Sequence, residues 1–168
     1  MDTGLLIARL ILGFGLAAHG AQKLFGWFGG YGLKGTGGFF EGLGFRPGAL
    51  FAAAAGLGEF GGGLLLAAGL FGPGGPALII VVMLVAMVTV HWRNGFFSSK
   101  NGIELALMNT AGALAIAFAG PGAFSLDRVL GISQLSQPST TWVVIAAAAV
   151  VAMVNLAVRR RPAPAPAS

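Results

Sequence analysis

The chain has 168 residues, 56% of them hydrophobic and 9% charged, a formal net charge of +5 and no cysteine. A soluble domain carries about a quarter charged residues, so this composition excludes an ordinary water-facing surface and turns the excess apolar side chains toward a lipid bilayer. It also excludes thiol–disulfide exchange by the chain itself, thiolate-held iron–sulfur clusters and haem attachment through Cys-x-x-Cys-His.

The basic residues stand singly at the ends of apolar runs, or together in Arg159-Arg160-Arg161. A nucleic-acid face needs them clustered on one accessible surface, so no nucleic-acid partner is expected.

Five apolar runs are long enough to cross a hydrocarbon core, which needs about 20 residues of helix. The first covers Gly4 to Phe28, with Asp2 or Thr3 as its cap and Arg9 and Lys23 as its only charges. A cleaved signal peptide begins basic and ends at a small-x-small site after a shorter run. This run begins acidic and continues through His19, Gln22 and Lys23, which favours a membrane span.

Residues 29–46 form a connector with eight glycines in eighteen residues. Thr36 caps a short helix through Phe39, Phe40 and Leu43, with Glu41 inside it, and the neighbouring aromatics suit a membrane–water interface. Gly30-x-Gly32-x-x-Gly35 has the spacing of a dinucleotide fingerprint. That motif needs a preceding strand, and here it follows a membrane helix.

The second run starts after Pro47 and extends to Phe71. Gly58 and Gly62 make a small-xxx-small pair that admits a close helix neighbour, and Glu59 lies between them. After the turn Phe71–Pro76 comes the third run, Pro76 to Trp92, followed by His91-Trp92-Arg93-Asn94-Gly95-Phe96-Phe97 and a polar stretch to Asn101. The fourth run, Ile103 to Ala119, carries Glu104 and Asn109. Phe124 to Leu130 reads as a short helix lying on the membrane. Residues 132–141 are a linker, 142–158 the fifth run, and 159–168 a basic, Pro-Ala-rich tail expected to be disordered.

Five crossings place Lys23, Lys34, Arg46, Arg93, Lys100 and Arg159–Arg161 on one side. Arg128 falls on the other, joined by Arg9 through snorkelling of its side chain. The positive-inside rule then sets the N-terminus outside and the C-terminus in the cytoplasm.

Charges inside an apolar span cost roughly 2.5–3.5 kcal/mol each, so they face the bundle interior with a partner or a task. His19, Gln22 and Lys23 share one helix face. At about 1.5 Å per residue, His19 lies about 9 Å from the inner end of its helix and Glu59 about 18 Å. Side chains lean toward their own helix N-terminus, so these two lean toward each other and a His19–Glu59 hydrogen bond is expected. His91 and Glu104 flank one connector and suggest a second pair, with anchoring near the headgroups as their rival role. No Glu-x-x-His repeat of the di-iron type occurs, so no metal is expected. Haem would need His19 and His91 at matched depth and is the less favoured reading.

Taken in order, the polar blocks resemble the DoxX family of small bacterial membrane proteins, related to the membrane subunit of thiosulfate:quinone oxidoreductase. The blocks are His19-Gly20-x-Gln22-Lys23-Leu24-Phe25-Gly26, Gly35-Thr36-x-x-Phe39-Phe40 with Leu43-Gly44-Phe45, Gly56-x-x-Glu59-x-x-Gly62-Gly63, His91-x-x-Asn94-Gly95-Phe96-Phe97 and Gly102-x-Glu104. The resemblance runs from about Leu5 to Leu130. It implies an all-α, polytopic four-helix core over residues 1–131, here with an additional C-terminal helix, and a redox-associated role in the bacterial cell membrane.

The leading expectation is therefore a quinone-binding membrane subunit working with a soluble or membrane redox partner. His19, Lys23 and Glu59 would act on a quinone carbonyl, with Gln22, His91, Asn94, Glu104 and Asn109 as surrounding contacts. Imidazole suits such work because it titrates near neutral pH. The rival expectations are a small-molecule or proton carrier gated by Glu59, for which a homodimer would supply ten helices, and a scaffold without chemistry.

Overall fold

The computed structural model describes residues 2–160, and those residues form helices and connecting turns with no strand. The tail residues 161–168 lie outside the described part. Seven α-helices follow in order: α1 Asp2–Phe25, α2 Gly32–Gly42, α3 Gly48–Ala68, α4 Gly74–Ala86, α5 Glu104–Ala119, α6 Leu126–Val129 and α7 Pro138–Ala157. In lipid each backbone N–H and C=O must be satisfied within its own segment. That requirement explains why glycine-rich stretches such as Ala55–Gly63 hold a regular helix.

The helix α4 continues through a π-helical turn, Met87–His91, and a 3-10 turn, Trp92–Asn94. With that extension, four helices are long and apolar enough to span a membrane: Asp2–Phe25, Gly48–Ala68, Gly74–Asn94 and Pro138–Ala157. The fourth expected run falls in α5. With 16 residues, α5 reaches about 24 Å, short of a hydrocarbon core of about 30 Å. The linker contains a 3-10 turn at Ser133–Ser136, and α7 starts at Pro138, four residues before the apolar run.

The helix pair α1–α3 is the most intimate contact of the bundle. Its seam is built from absent side chains. A Cβ on Gly20 would overlap the backbone of Phe60 and Gly56, and one on Gly63 would overlap Gly13 and Ala17. On the other side of α3, a Cβ on Gly62 would come within 3.0 Å of Leu78 and 3.1 Å of the Gly75 carbonyl. Small residues thus let α3 pack closely on two neighbours, where van der Waals contact holds helices together in lipid. The helix α4 then packs on α5 and α7, through a core that includes Leu16, Leu66, Ile79, Ile80, Ala113 and Ala148. Outward-facing residues such as Phe14, Leu57, Val143 and Met153 remain exposed to the bilayer.

Two residues depart from the expected pattern at the end of the bundle formed by the α3–α4 turn. Arg9 does not snorkel. It is 2% exposed and donates to the carbonyls of Pro121, Ala67 (3.2 Å) and Phe124 (2.7 Å). Asp127 is fully buried, so α6 does not simply rest on the membrane. The Asp127 carboxylate accepts the backbone N–H groups of Phe71 (2.8 Å) and Gly72 (2.7 Å), and its own N–H donates to Gly69 O (3.0 Å). Both side chains satisfy backbone groups freed where helices end, a need that lipid makes acute.

Candidate functional site

Toward the opposite end of the bundle lies a cavity of about 750 Å³. It is walled by α1, α3, α4, α5, α7 and the segment from α2 into α3. Most of its lining is apolar, with Leu16, Leu78, Val81, Val82 and Ala86 typical of the wall. The polar exceptions are His19 and Lys23 from α1, Glu59 from α3, Thr89 and His91 from the α4 extension, Asn109 from α5 and Asn155 from α7. The size and character match a small-molecule site, an apolar body with a few placed polar groups.

Glu59 is 3% exposed and forms an ion pair with Lys23, whose side chain is 27% exposed. The glycine seam positions this pair. Gly56, one turn before Glu59, gives room for Leu24, and the Lys23 Cβ lies 3.4 Å from where a Gly56 Cβ would stand. With α1 and α3 antiparallel, the two side chains lean toward each other.

The expected His19–Glu59 hydrogen bond is not formed, because lysine holds the carboxylate. Lysine has the longer reach, and its ammonium makes a charge-assisted hydrogen bond where a neutral imidazole would make a weaker one. His19 Nδ1 instead pairs with Gln22 Oε1 (3.1 Å), and Gln22 Nε2 donates to Phe28 O (3.2 Å). Gln22 therefore orients His19 without lining the cavity.

The expected His91–Glu104 pair is also absent. His91 Nδ1 lies 2.8 Å from Asn101 O. Asn94 Nδ2 donates to the same carbonyl (3.2 Å) and to Val90 O (3.1 Å). Glu104 accepts the Ser98 N–H (2.8 Å). Each side chain answers a backbone group of the α4–α5 connector, which has no regular ladder to satisfy it. His91 still reaches the cavity wall, while Asn94 and Glu104 do not. Asn109 is on the wall, its amide 3.8 Å from Met83 Sδ. Among the described residues no three His, Asp or Glu side chains converge on one point.

Sequence reasoning passed over Thr89 and Asn155. Thr89 donates to Val85 O (2.8 Å), an ordinary back-bond in an apolar helix. Asn155 carried a readable signal, since it is the one polar residue between Trp142 and Val158.

Long apolar helices packed into one bundle, with large apolar side chains left on its outside, define an integral membrane protein. The family model of DoxX matches residues 4–92, more than half of the chain, and the protein belongs to the DoxX family. The matched part runs from α1 to the end of α4 and holds His19, Lys23, Glu59 and His91; the signature blocks from Asn94 to Glu104 lie beyond it. No curated protein and no solved structure matches the chain.

Proposed function

We propose that this protein binds a quinone in the central cavity, as the membrane subunit of a redox system whose electrons come from a partner protein. One observation carries the reading: a ligand-sized apolar cavity carries a few ionisable groups on its wall, His19, His91 and the ion pair of Lys23 with the buried Glu59. That polarity fits an amphiphile with an apolar body and a hydrogen-bond-accepting head.

Reducing a quinone takes two electrons and two protons. The chain has no cysteine and so no thiolate ligands for a cluster, which leaves electron delivery to the partner. Its own contribution is binding and proton supply. Lys23 reaches from α1 to the buried carboxylate of Glu59, and His19, itself exposed and held by Gln22, stands one turn earlier on the same helix. In this reading the three groups supply protons to the ligand's carbonyl.

The ends of α1, α4 and α7 and the starts of α3 and α5 carry Lys23, Arg93, Arg159, Arg160, Arg46 and Lys100. This basic rim supports placement in the bacterial cell membrane with that end cytoplasmic and the N-terminus outside.

The test is quinone retention by the protein purified in mild detergent. A Cβ on Gly15, at the cavity wall, would meet no atom within 4 Å, so Gly15→Leu adds bulk there without a backbone clash. The wild type should retain close to one quinone per chain, and Gly15→Leu and Glu59→Gln should lose most of it. Equal, lipid-background amounts in all three would refute the proposal. A proton or solute flux in proteoliposomes that Glu59→Gln abolishes would favour the carrier reading instead.

A further inference from the structure

We infer that α7, which lies beyond the family-matched segment, supplies a wall of the ligand site, and that Asn155 contacts the edge of a 1,4-quinone ring remote from His19 and Lys23. This rests on the cavity being a quinone site and adds a ligand contact on a second wall.

The inward stripe of α7 follows heptad-like spacing: Thr141, Ile145, Ala148, Ala152, Asn155 and Arg159. Its middle is small and tight, with Ala148 5% and Ala152 2% exposed, so α7 sits close on α4. Beside this tight middle and one turn beyond it, Val151 and Asn155 line the cavity. An amide in an apolar helix is costly in lipid unless it finds partners. The Asn155 amide donates to Val151 O one turn back (3.0 Å), which leaves a second amide hydrogen and a carbonyl oxygen to offer a ligand.

The C-terminal end of α7 is fastened to the segment that closes the same cavity. Arg160 N donates to Gly44 O (2.9 Å), and Arg159 Nε donates to Leu43 O. Leu43 is itself on the cavity wall. Gly44 has φ +96°, and a Cβ there would overlap the Arg160 carbonyl. Only glycine permits this clasp, which holds α7 against the mouth of the site.

The chemistry follows from the placement. The helix α7 packs on α4 and α5, whereas α1 packs on α3, so Asn155 faces the cavity from a different wall than His19 and Lys23. A 1,4-quinone carries carbonyl oxygens on opposite edges of its ring. It can therefore accept hydrogen bonds from two walls at once, as a ligand with a single polar head cannot.

The experiment is photoaffinity labelling of the full chain in lipid nanodiscs with an azido-1,4-benzoquinone, mapped by mass spectrometry. Two peptides should carry label that excess unlabelled quinone displaces, one containing Glu59 and one containing Val151–Asn155. Asn155→Leu should raise the Kd about tenfold, near the 1.4 kcal/mol of one hydrogen bond, and Asn155→Gln should recover part of that loss. Labelling confined to α1, α3 and α4, with Asn155→Leu titrating as wild type, would overturn the role of α7 and leave the quinone site standing. Absence of any displaceable label would overturn both. The mapping needs no variant, so it stands even if a substituted chain folds poorly.

Discussion

Replacing Lys23 with methionine keeps the length of the side chain and removes its charge. Glu59, 3% exposed, is then left buried without its cation. Truncating one member of a fully buried pair costs about 3–5 kcal/mol. Lys23 is 27% exposed, so the loss belongs at the lower end, about 3 kcal/mol. Glu59→Gln is milder. The amide still accepts a hydrogen bond, and the freed ammonium can turn to the exposed end of α1, which gives a cost of about 1 kcal/mol.

The double variant Lys23→Met with Glu59→Gln has neither an orphaned anion nor a stranded cation, and it should cost little more than Glu59→Gln alone. The coupling energy is therefore about 2–3 kcal/mol. Reversible unfolding by titration of sodium dodecyl sulfate into mixed micelles, followed by circular dichroism, measures all four corners of the cycle. If the two single costs add to within about 0.5 kcal/mol, the side chains do not interact, and the positioning of the site by the α1–α3 seam is refuted.

Three further outcomes use the same cysteine-free chain. Gly20→Val should destabilise by about 3 kcal/mol or more in that unfolding assay, since its Cβ overlaps the Phe60 and Gly56 backbone; Gly15→Ala, which meets nothing, should be neutral within about 0.5 kcal/mol. Asp127→Ala strands the Phe71 and Gly72 N–H groups and should cost about 2–5 kcal/mol, with Asp127→Asn costing less because one acceptor remains. In intact cells a membrane-impermeant maleimide should label Phe124→Cys and reach Lys34→Cys only after permeabilisation, and the reverse pattern would overturn the proposed orientation.

The helices were legible in the sequence because lipid leaves the backbone no other state, although run length did not show that the fourth run, α5, falls short of a full span. The Gly58–Gly62 spacing was legible as a place of close approach for the same reason: only absent side chains let backbones touch. Pairing was harder to read. His19 and Lys23 stand on one face of α1, and helix periodicity cannot say which of them reaches Glu59. The glycine seam decides it, by fixing how far α1 slides along α3.

The Arg9 and Asp127 contacts were illegible for a different reason. Arg9 bonds to carbonyls as far off as Phe124, 115 positions away, and Asp127 serves a turn 55 and 56 positions before it. Nothing periodic links such residues. A lone arginine near the end of an apolar run looks the same in sequence whether it snorkels or is buried.

The two buried charged clusters at opposite ends of the bundle differ in a way that bears on function. At the Arg9 end, guanidinium and carboxylate are bonded to backbone groups, and the space beside Arg9 is only about 10 Å³, roughly the volume one water needs. Such an arrangement secures turns and leaves no room for a ligand. At the other end Lys23 and Glu59 bond to each other, and both border a cavity of about 750 Å³. The cleft at this end therefore has room for an occupant that the Arg9 end lacks, and the two ends should separate under substitution. Changes at Asp127 should lower stability and leave the affinity of any folded fraction for quinone intact, whereas Gly15→Leu at the cavity should abolish binding at undiminished stability.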